Sequence, residues 1–427
     1  MTEAKTKRRW LAASVLLASV LVALGLMQWA DDTARAHDDA PVQTYLYDWH
    51  DLAASRDAFV RGEDWITDDA QWIIRRAETA LDEGPFTVTN KDHHPVDGAT
   101  VHDFFSHLVH YWPNPDTDDG LPWVQRDGHV NPDSFHDFDE MRVTTRVGFL
   151  GLAYLLTEDE RFAEHAASLT RTFFLDPETR MNPNCEYANT VPGKPERGTR
   201  FMVAGFHLRF RELFDALAII EASPHWTDDD KRAMQQWCRE FVHWMETSDT
   251  ALSERRKDNN HATAYYMQAA LLSLYADDRR RARRYVQEYA DDVMPRQLKA
   301  GGMQPAEFDR NNNLEYLVYN LSIIMDLAAL GDRVGVDLWH VVTDEGGSLR
   351  GSLEMLVPAM TGALEWKHWP DEPFDYQPWT YYDLLRRAAA AYDDRRYLIL
   401  SENLVGQWRE THQATVTHPP HAARAAR

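Results

Sequence analysis

The 427-residue sequence predicts an all-helical fold built from helix pairs: a bundle, a solenoid or an α/α toroid. Apolar residues recur at three- and four-residue spacing along most of the chain, and most connectors between these stretches are short. No series of alternating strands interrupts them. Hydrophobic residues make up 44% of the chain, enough for a large core.

The N-terminus reads as a targeting segment. Lys5, Lys7, Arg8 and Arg9 precede an apolar run from Trp10 to Ala30, and Ala34-Arg35-Ala36 supplies a small-x-small cleavage site. Cleavage after Ala36 implies export, to the periplasm or beyond the cell. Uncleaved, the run of about 20 residues is long enough to anchor the chain in a membrane. Residues 37–64 read as a polar lead-in, 65–412 as the helical domain, and 413–427 as an unstructured tail rich in His, Ala and Pro.

Within the domain, Thr67-Asp68-Asp69 opens a first helix carrying Trp72, Ile73, Ala77, Ala80 and Leu81. A stretch dense in Pro, Gly, Asp and His follows, from Gly84 to about Ser134. Ordered loops of that length are often functional. Helices are then expected over about 139–156, 160–174, 203–222, 227–247, 260–276, 279–294, 314–331, 348–362 and 380–407. The helix near 227 is the clearest. Thr227 and Asp230 form a capping box with Asp in place of Glu, and Met234, Trp237, Cys238, Phe241, Trp244 and Met245 build one apolar face.

A formal charge of −23 argues against nucleic acid as a partner. Removing residues 1–36 leaves the chain more acidic still, because that segment carries more Lys and Arg than Asp and Glu. A polyanionic ligand would therefore need cations and amides focused into one cleft. Cys185 and Cys238 are the only cysteines, and their pairing is left open.

Four clusters hold the chemistry-bearing residues. Asp258-Asn259-Asn260-His261 opens an apolar helix. Gly301-Gly302-Met303-Gln304-Pro305 leads to Glu307, Arg310, Asn311-Asn312-Asn313 and Tyr316. The long loop carries His102, Asp103, Ser106, His110, Tyr111, Trp112 and Arg126. A fourth segment carries Arg180, Asn182, Asn184, Tyr187 and Asn189. Taken singly, each has a structural reading as helix caps, turn residues or loop packing.

Together they suit one reaction. Removing the C5 proton of a uronic acid requires donors on the neighbouring carboxylate, where charge develops. Arg binds a carboxylate in bidentate fashion, and Asn donates without losing a proton. A neutral His or an ionised Tyr can take the proton, and a Tyr hydroxyl can protonate the departing O4. Asn260, His261, Arg310 and Tyr316 supply these types. No metal or cofactor is required, although Asp92-His93-His94 or His102 with Asp103 would offer ligands.

The same residues resemble the alginate lyase superfamily: polysaccharide lyase family five and a related family acting on alginate or glucuronan. The resemblance spans roughly 98–370 and rests on HDFFSHLVHYWPNPD (102–116), RDGHVNP (126–132), TRMNPNCEYANTVPG (179–193), WMETSDT (244–250), DNNHATAYYMQ (258–268), GGMQPAEFDRNNNLEY (301–316) and GVDLW (335–339). It implies an incomplete α/α toroid with a central groove, and β-elimination of an acidic polysaccharide. It further implies that Asn260 and His261 neutralise the carboxylate and place a base, that Arg310 assists, and that Tyr316 is the acid. His102, Ser106, Tyr111, Trp112, Asn182, Asn184, Tyr187, Asn259 and Gln304 would line subsites. Two departures stand out. Asn311-Asn312-Asn313 replaces the Thr/Ser or Lys/Arg stretch expected after the arginine, and the shorter spacing to Tyr316 points to the sister family. Tyr319 is the fallback acid.

Two other classes compete. A glycoside hydrolase on an α/α barrel would use paired carboxylates, drawn from residues such as Asp103, Asp258 and Glu307. A non-catalytic glycan-binding relative would bind without turnover.

Overall fold

The computed structural model describes residues 42–126, 129–134, 137–194, 203–310, 313–364, 366, 379–405 and 412–420. The expected targeting segment, residues 1–36, lies outside them. From Thr44 onward the chain forms one unit.

Helix α1 spans Trp49–Val60, so the expected lead-in is not merely polar linker. Asp48 caps it by accepting from the main-chain N–H groups of His50 and Asp51. Helix α2, Asp64–Ala80, starts three residues before the predicted Thr67. The long loop then carries β1 (Phe105–His107), β2 (Tyr111–Trp112) and β3 (Val124–Gln125). Helices α3 (Arg142–Thr157) and α4 (Glu160–Thr170) follow, then β4 (Tyr187–Thr190). Helices α5 (Val203–Ile220), α6 (Asp228–Thr247), α7 (Asp249–Arg255) and α8 (Asn260–Tyr275) come next. After them run α9 (Arg279–Glu288), α10 (Met294–Gln297), α11 (Pro305–Phe308), α12 (Asn313–Val334) and α13 (Leu349–Met360). Helices α14 (Trp379–Tyr392), α15 (Arg395–Val405) and α16 (His412–Thr417) complete the described chain. The expected single helix over 380–407 is thus two. Asp393 breaks it with φ 49°, a left-handed conformation that Asp tolerates better than most residues.

Helix α2 packs on α3, α3 on α5, α5 on α8, α8 on α12, and α12 on α14. A second layer lies against these: α4 on α3, α6 and α9 on α8, and α15 on α14. The sequence explains which helix joins which layer. In α8, NHATAYYMQAALLSLY, every residue except His261 is buried, as an inner helix requires. In α9, RRRARRYVQE, only Ala282, Tyr285 and Val286 are buried, as an outer helix allows. The capping box of α6 forms as predicted: Thr227 accepts from the Asp230 N–H, and the Asp230 carboxylate accepts from the Thr227 N–H.

The expected unstructured tail is corrected over residues 412–420. Helix α16 packs against α1, α2 and α14, and so bridges the first and last helices of the inner layer. Ser55 donates to the Val416 carbonyl at 2.7 Å, Gln413 to the Tyr47 hydroxyl at 3.1 Å, and Arg386 to the His418 carbonyl at 2.6 Å. A tail whose main-chain carbonyls are satisfied this way by distant side chains is part of the fold.

Charged groups are buried where the inner helices meet. Arg211 of α5 pairs with Asp326 of α12 at 3.1 Å and with Asp383 of α14 at 2.8 Å, and Arg387 reaches Asp326 at 2.8 Å. Nearby, the Asp215 carboxylate accepts main-chain N–H groups from Tyr45, Leu46 and Tyr47. Arg333 holds the carbonyls of Tyr45 and Tyr47 from the other side. Burial pushes the Asp215 carboxyl up to about 6, opposed by those three N–H donors and by Arg333.

A carboxyl raised in the fold binds its proton more tightly there than in the unfolded chain. Its contribution is present below its ordinary value of 3.8 and is lost as pH rises through about 6. The melting-temperature difference between the protein and its Asp215→Asn variant should therefore shift against the parent as pH rises from about 4 to about 6. A flat difference across that window would show that Asp215 ionises as freely folded as unfolded.

Candidate active site

The start of α8 is held by a chain of buried amides. Asn259 caps the helix with its side-chain oxygen, which accepts from the His261 N–H at 3.3 Å. Its carbonyl accepts from Gln297 Nε2 at 2.7 Å. Gln297 Oε1 in turn receives the Tyr289 and Thr263 hydroxyls, and Thr263 also meets Asn320 Oδ1 at 2.7 Å. Asn320 donates to Gln304 Oε1 at 2.8 Å, and Gln304 Nε2 donates to the Leu317 carbonyl at 3.1 Å. One polar network thus fixes the α8 start, the turn before α11 and the first turns of α12. The turn itself needs glycine. Gly302 has φ 84°, and a Cβ there would lie 2.1 Å from the Gly351 carbonyl oxygen.

Glu307, only 1% exposed, joins the two catalytic candidates' segments. It accepts from the Asn260 main-chain N–H and from Asn260 Nδ2 at 2.8 and 3.0 Å. That N–H is one of the unpaired donors of the α8 N-terminus, where the helix dipole favours an anion. Burial raises the Glu307 carboxyl. The Asn260 hydrogen bonds and the charges of Arg310 and His261 pull it back. Arg310 lies over the Tyr316 ring, its guanidinium carbon 4.0 Å from the centroid. Glu307 thus ties the helix start that carries Asn260 and His261 to the segment that carries Arg310, which stacks on Tyr316. Asn313 steadies the turn between Arg310 and Tyr316: it donates to the Phe308 carbonyl at 3.1 Å and accepts from Trp366 Nε1 at 2.9 Å. Asn311 and Asn312 lie outside the described residues.

His261 is the one α8 residue that reaches solvent, with 19% of its side chain exposed. Its Nδ1 meets the carboxylate of Glu254, which is fully buried. Sequence reasoning missed Glu254, because no spacing rule links a residue on α7 to one on α8.

The long loop and the 180–194 segment close on each other. β1 and β4 pair in parallel, Phe105 opposite Tyr187 and His107 opposite Thr190, and β2 pairs antiparallel with β3. Gly193 has φ 80°, and a Cβ there would lie 2.7 Å from Pro122, so this crossing admits no side chain. Glu186 anchors the assembly to the end of α6, accepting from Trp244 Nε1 at 3.0 Å and from the Ser248 hydroxyl at 2.8 Å. From there the chain runs through α7 to Asn259 and His261.

Several expected sugar contacts prove to be internal. Ser106 is fully buried and serves the Asn189 N–H at 2.8 Å. Gln304, 1% exposed, has both ends of its amide engaged in the network above. Asn260, 2% exposed, turns its NH2 group to Glu307. Asn182 and Asn184 both donate to Asp103, at 2.8 and 3.2 Å, knitting the two loops together. Burial alone would raise the Asp103 carboxyl, but these donors and Thr100 hold it below its ordinary value. The Asn259 side-chain oxygen is spent as a cap. Amides were read as sugar donors because the sequence cannot show that a buried carboxylate claims them first.

Tyr111, Trp112, Tyr187 and His102 stay half-exposed, as do Asn182, Asn184 and Asn259 beside their internal bonds. Arg126 lies over Trp112 at 5.0 Å and Lys194 over Tyr111 at 5.1 Å, giving cation-topped platforms suited to an acidic sugar. Tyr187 packs on His94 at 5.0 Å, and His102 is oriented by the Arg180 carbonyl. The fallback acid Tyr319 has its hydroxyl pushed well up by burial and by the nearby Tyr316, Glu307 and Glu315. The carboxylates a hydrolase would use are committed elsewhere: Asp103 and Glu307 are buried on amides, and Asp258 pairs with Arg296. Cys185 and Cys238 are both buried free thiols.

If Glu307 clamps Asn260, Glu307→Ala strands two buried donors. Unfolding free energy by urea titration should fall by about 1–3 kcal/mol, and less for Glu307→Gln, which keeps an acceptor. Equal stability of all three proteins would remove the clamp.

The alginate lyase family model matches residues 87–366. Among solved structures, an alginate lyase from Bacteroides ovatus is 28% identical; the match covers 88% of this chain and 99% of that one, with a TM-score of 0.82. A variant of alginate lyase A1-III, a Sphingomonas species A1 protein, was solved with a tetrasaccharide. It matches at 15% identity over 90% of this chain and 98% of that one, with a TM-score of 0.52. This second likeness is one of fold, the α/α toroid. No match was found among curated protein sequences. The chain belongs to the alginate lyase family and is a polysaccharide lyase, a carbon–oxygen lyase.

Proposed function

We propose that this enzyme depolymerises alginate, or a related polyuronate such as glucuronan, by β-elimination after export to the periplasm or the medium. The observation that supports this most is Glu307 bridging the helix start that carries His261 to the segment that carries Arg310, whose guanidinium lies over the Tyr316 ring. The names of the structural relatives support alginate as the polymer.

In this reading Arg310 receives the C5 carboxylate and stabilises the charge that develops on it. Asn260 acts one step back: it keeps Glu307 ionised and in place, and Glu307 fixes the turn that carries Arg310. His261 Nε2 takes the C5 proton. The C5–H electron pair forms the C4–C5 double bond as the C4–O4 bond breaks, and O4 leaves with the Tyr316 phenol proton. The guanidinium over the ring then stabilises the tyrosinate. No water is consumed, and the new non-reducing end is a 4,5-unsaturated uronate. Tyr111, Trp112, His102 and Tyr187 offer the platforms on which neighbouring sugars stack.

The mature chain from His37 should raise ultraviolet absorbance on polymannuronate, polyguluronate or glucuronan. Tyr316→Phe and His261→Ala should each slow it about 100-fold or more, the usual scale of general acid–base catalysis. Full rates in both variants would refute these roles. Reducing sugar released without ultraviolet absorbance would mean hydrolysis, and binding without either would mean a non-catalytic glycan receptor.

A further inference from the structure

Glu254 is hard to explain as a stabilising residue. It is fully buried, and one oxygen, Oε1, has no hydrogen-bond partner among the described residues. Among the described residues its side chain bonds only His261 Nδ1, through Oε2. A buried carboxylate with one partner is an expensive way to hold a helix start. The surrounding chain already does that job with neutral amides: Asn259 caps α8 and Gln297 holds the Asn259 carbonyl. What a carboxylate provides and an amide cannot is a partner that only accepts protons and carries negative charge.

We propose that Glu254 is a positioning residue: it holds the His261 ring protonated on Nδ1, leaving the Nε2 lone pair to face the groove as the base. The proposal builds on the elimination mechanism above. Nδ1–H donates to Glu254 Oε2. When Nε2 accepts the C5 proton, the imidazolium forms against a carboxylate whose second oxygen has no competing donor. The proton ends on Nε2, and the electron pair it leaves becomes the C4–C5 double bond. Glu254 touches neither sugar nor reacting atoms. Its effect passes through the imidazole, as second-layer carboxylates act on other histidines.

The arrangement also accounts for the helix geometry. α7 ends at Arg255 and α8 begins at Asn260, so a five-residue spacing brings the carboxylate of one helix onto the first turn of the next. Arg255, adjacent to Glu254, is drawn away: it pairs with Glu288 at 2.6 Å and donates to the Tyr266 hydroxyl at 3.1 Å. The nearest arginine in sequence therefore does not claim Glu254, and the imidazole does.

The test is nitrogen-15 NMR of histidine-labelled protein near pH 8, assigned with His261→Gln. The parent should show His261 protonated on Nδ1 and bare on Nε2; the reverse tautomer would overturn the proposal outright. In Glu254→Gln the Nδ1 preference should be lost. Its kcat should fall roughly 10–100-fold with KM within about two-fold, the range for losing such a supporting group. Glu254→Asp, which keeps the charge, should recover part of kcat. In a His261→Ala background, Glu254→Gln should cost nothing further. An unchanged kcat in Glu254→Gln, or additive losses, would refute the role. If the parent made no unsaturated product from any polyuronate, the elimination reading would fall, while the tautomer would still decide whether Glu254 sets the ring.

Discussion

Two acceptor oxygens, those of Glu307, fasten the first residue of α8 to the turn that delivers Arg310 and Tyr316. His261 belongs to one helix and the arginine–tyrosine pair to another segment, and this clamp adds to the packing of α8 on α12 in setting the distance between them. The carboxylate is tolerable at this depth because it meets the positive end of a 16-residue helix and two amide donors. The surrounding amide network, from Gln297 through Asn320 to Gln304, holds the same junction with neutral groups. The site therefore rests on helix ends stitched by buried polar contacts, a rigid support for groups that must meet a sugar within a fraction of an ångström.

The chain's charge shows the same economy of placement. With a formal charge of −23, it would repel a polyanion over most of its surface. Arg310, Arg126 and Lys194 are instead stacked on Tyr316, Trp112 and Tyr111, each cation spread over an aromatic face. Farther along α12, about 15 Å from Tyr316 at Asp326 and about 25 Å at Arg333 by the usual helical rise, charges serve architecture. There Arg211, Asp326, Asp383 and Arg387 lock three inner helices, and Asp215 and Arg333 hold the segment leading into α1.

The loops illustrate how far a tertiary contact can change the meaning of a residue. Asn182 and Asn184 look like sugar donors when read along the chain. In the fold they bond Asp103, about 80 residues earlier, and so close the loop that presents Tyr111 and Trp112. Ser106 likewise serves the Asn189 N–H. Their contribution is to close the long loop against the 180–194 segment.

The sequence by itself determined what depends on near neighbours. Apolar spacing located most of the helices of the domain, Thr227 and Asp230 announced a capping box that forms, and the ordered motifs identified the family. It did not show that 412–417 is a packed helix, because a short segment of low apolar content is stabilised by partners such as Ser55 and Tyr382 that lie far away in the chain. It also could not show which polar residues reach solvent. Asn260 and His261 are adjacent, yet one is spent on Glu307 and the other reaches solvent on Glu254. Helical periodicity is set by hydrogen bonds four residues apart, and so is written locally. Whether an amide meets a sugar or a buried carboxylate depends on pairings across tens of residues, and only the packed helices decide those.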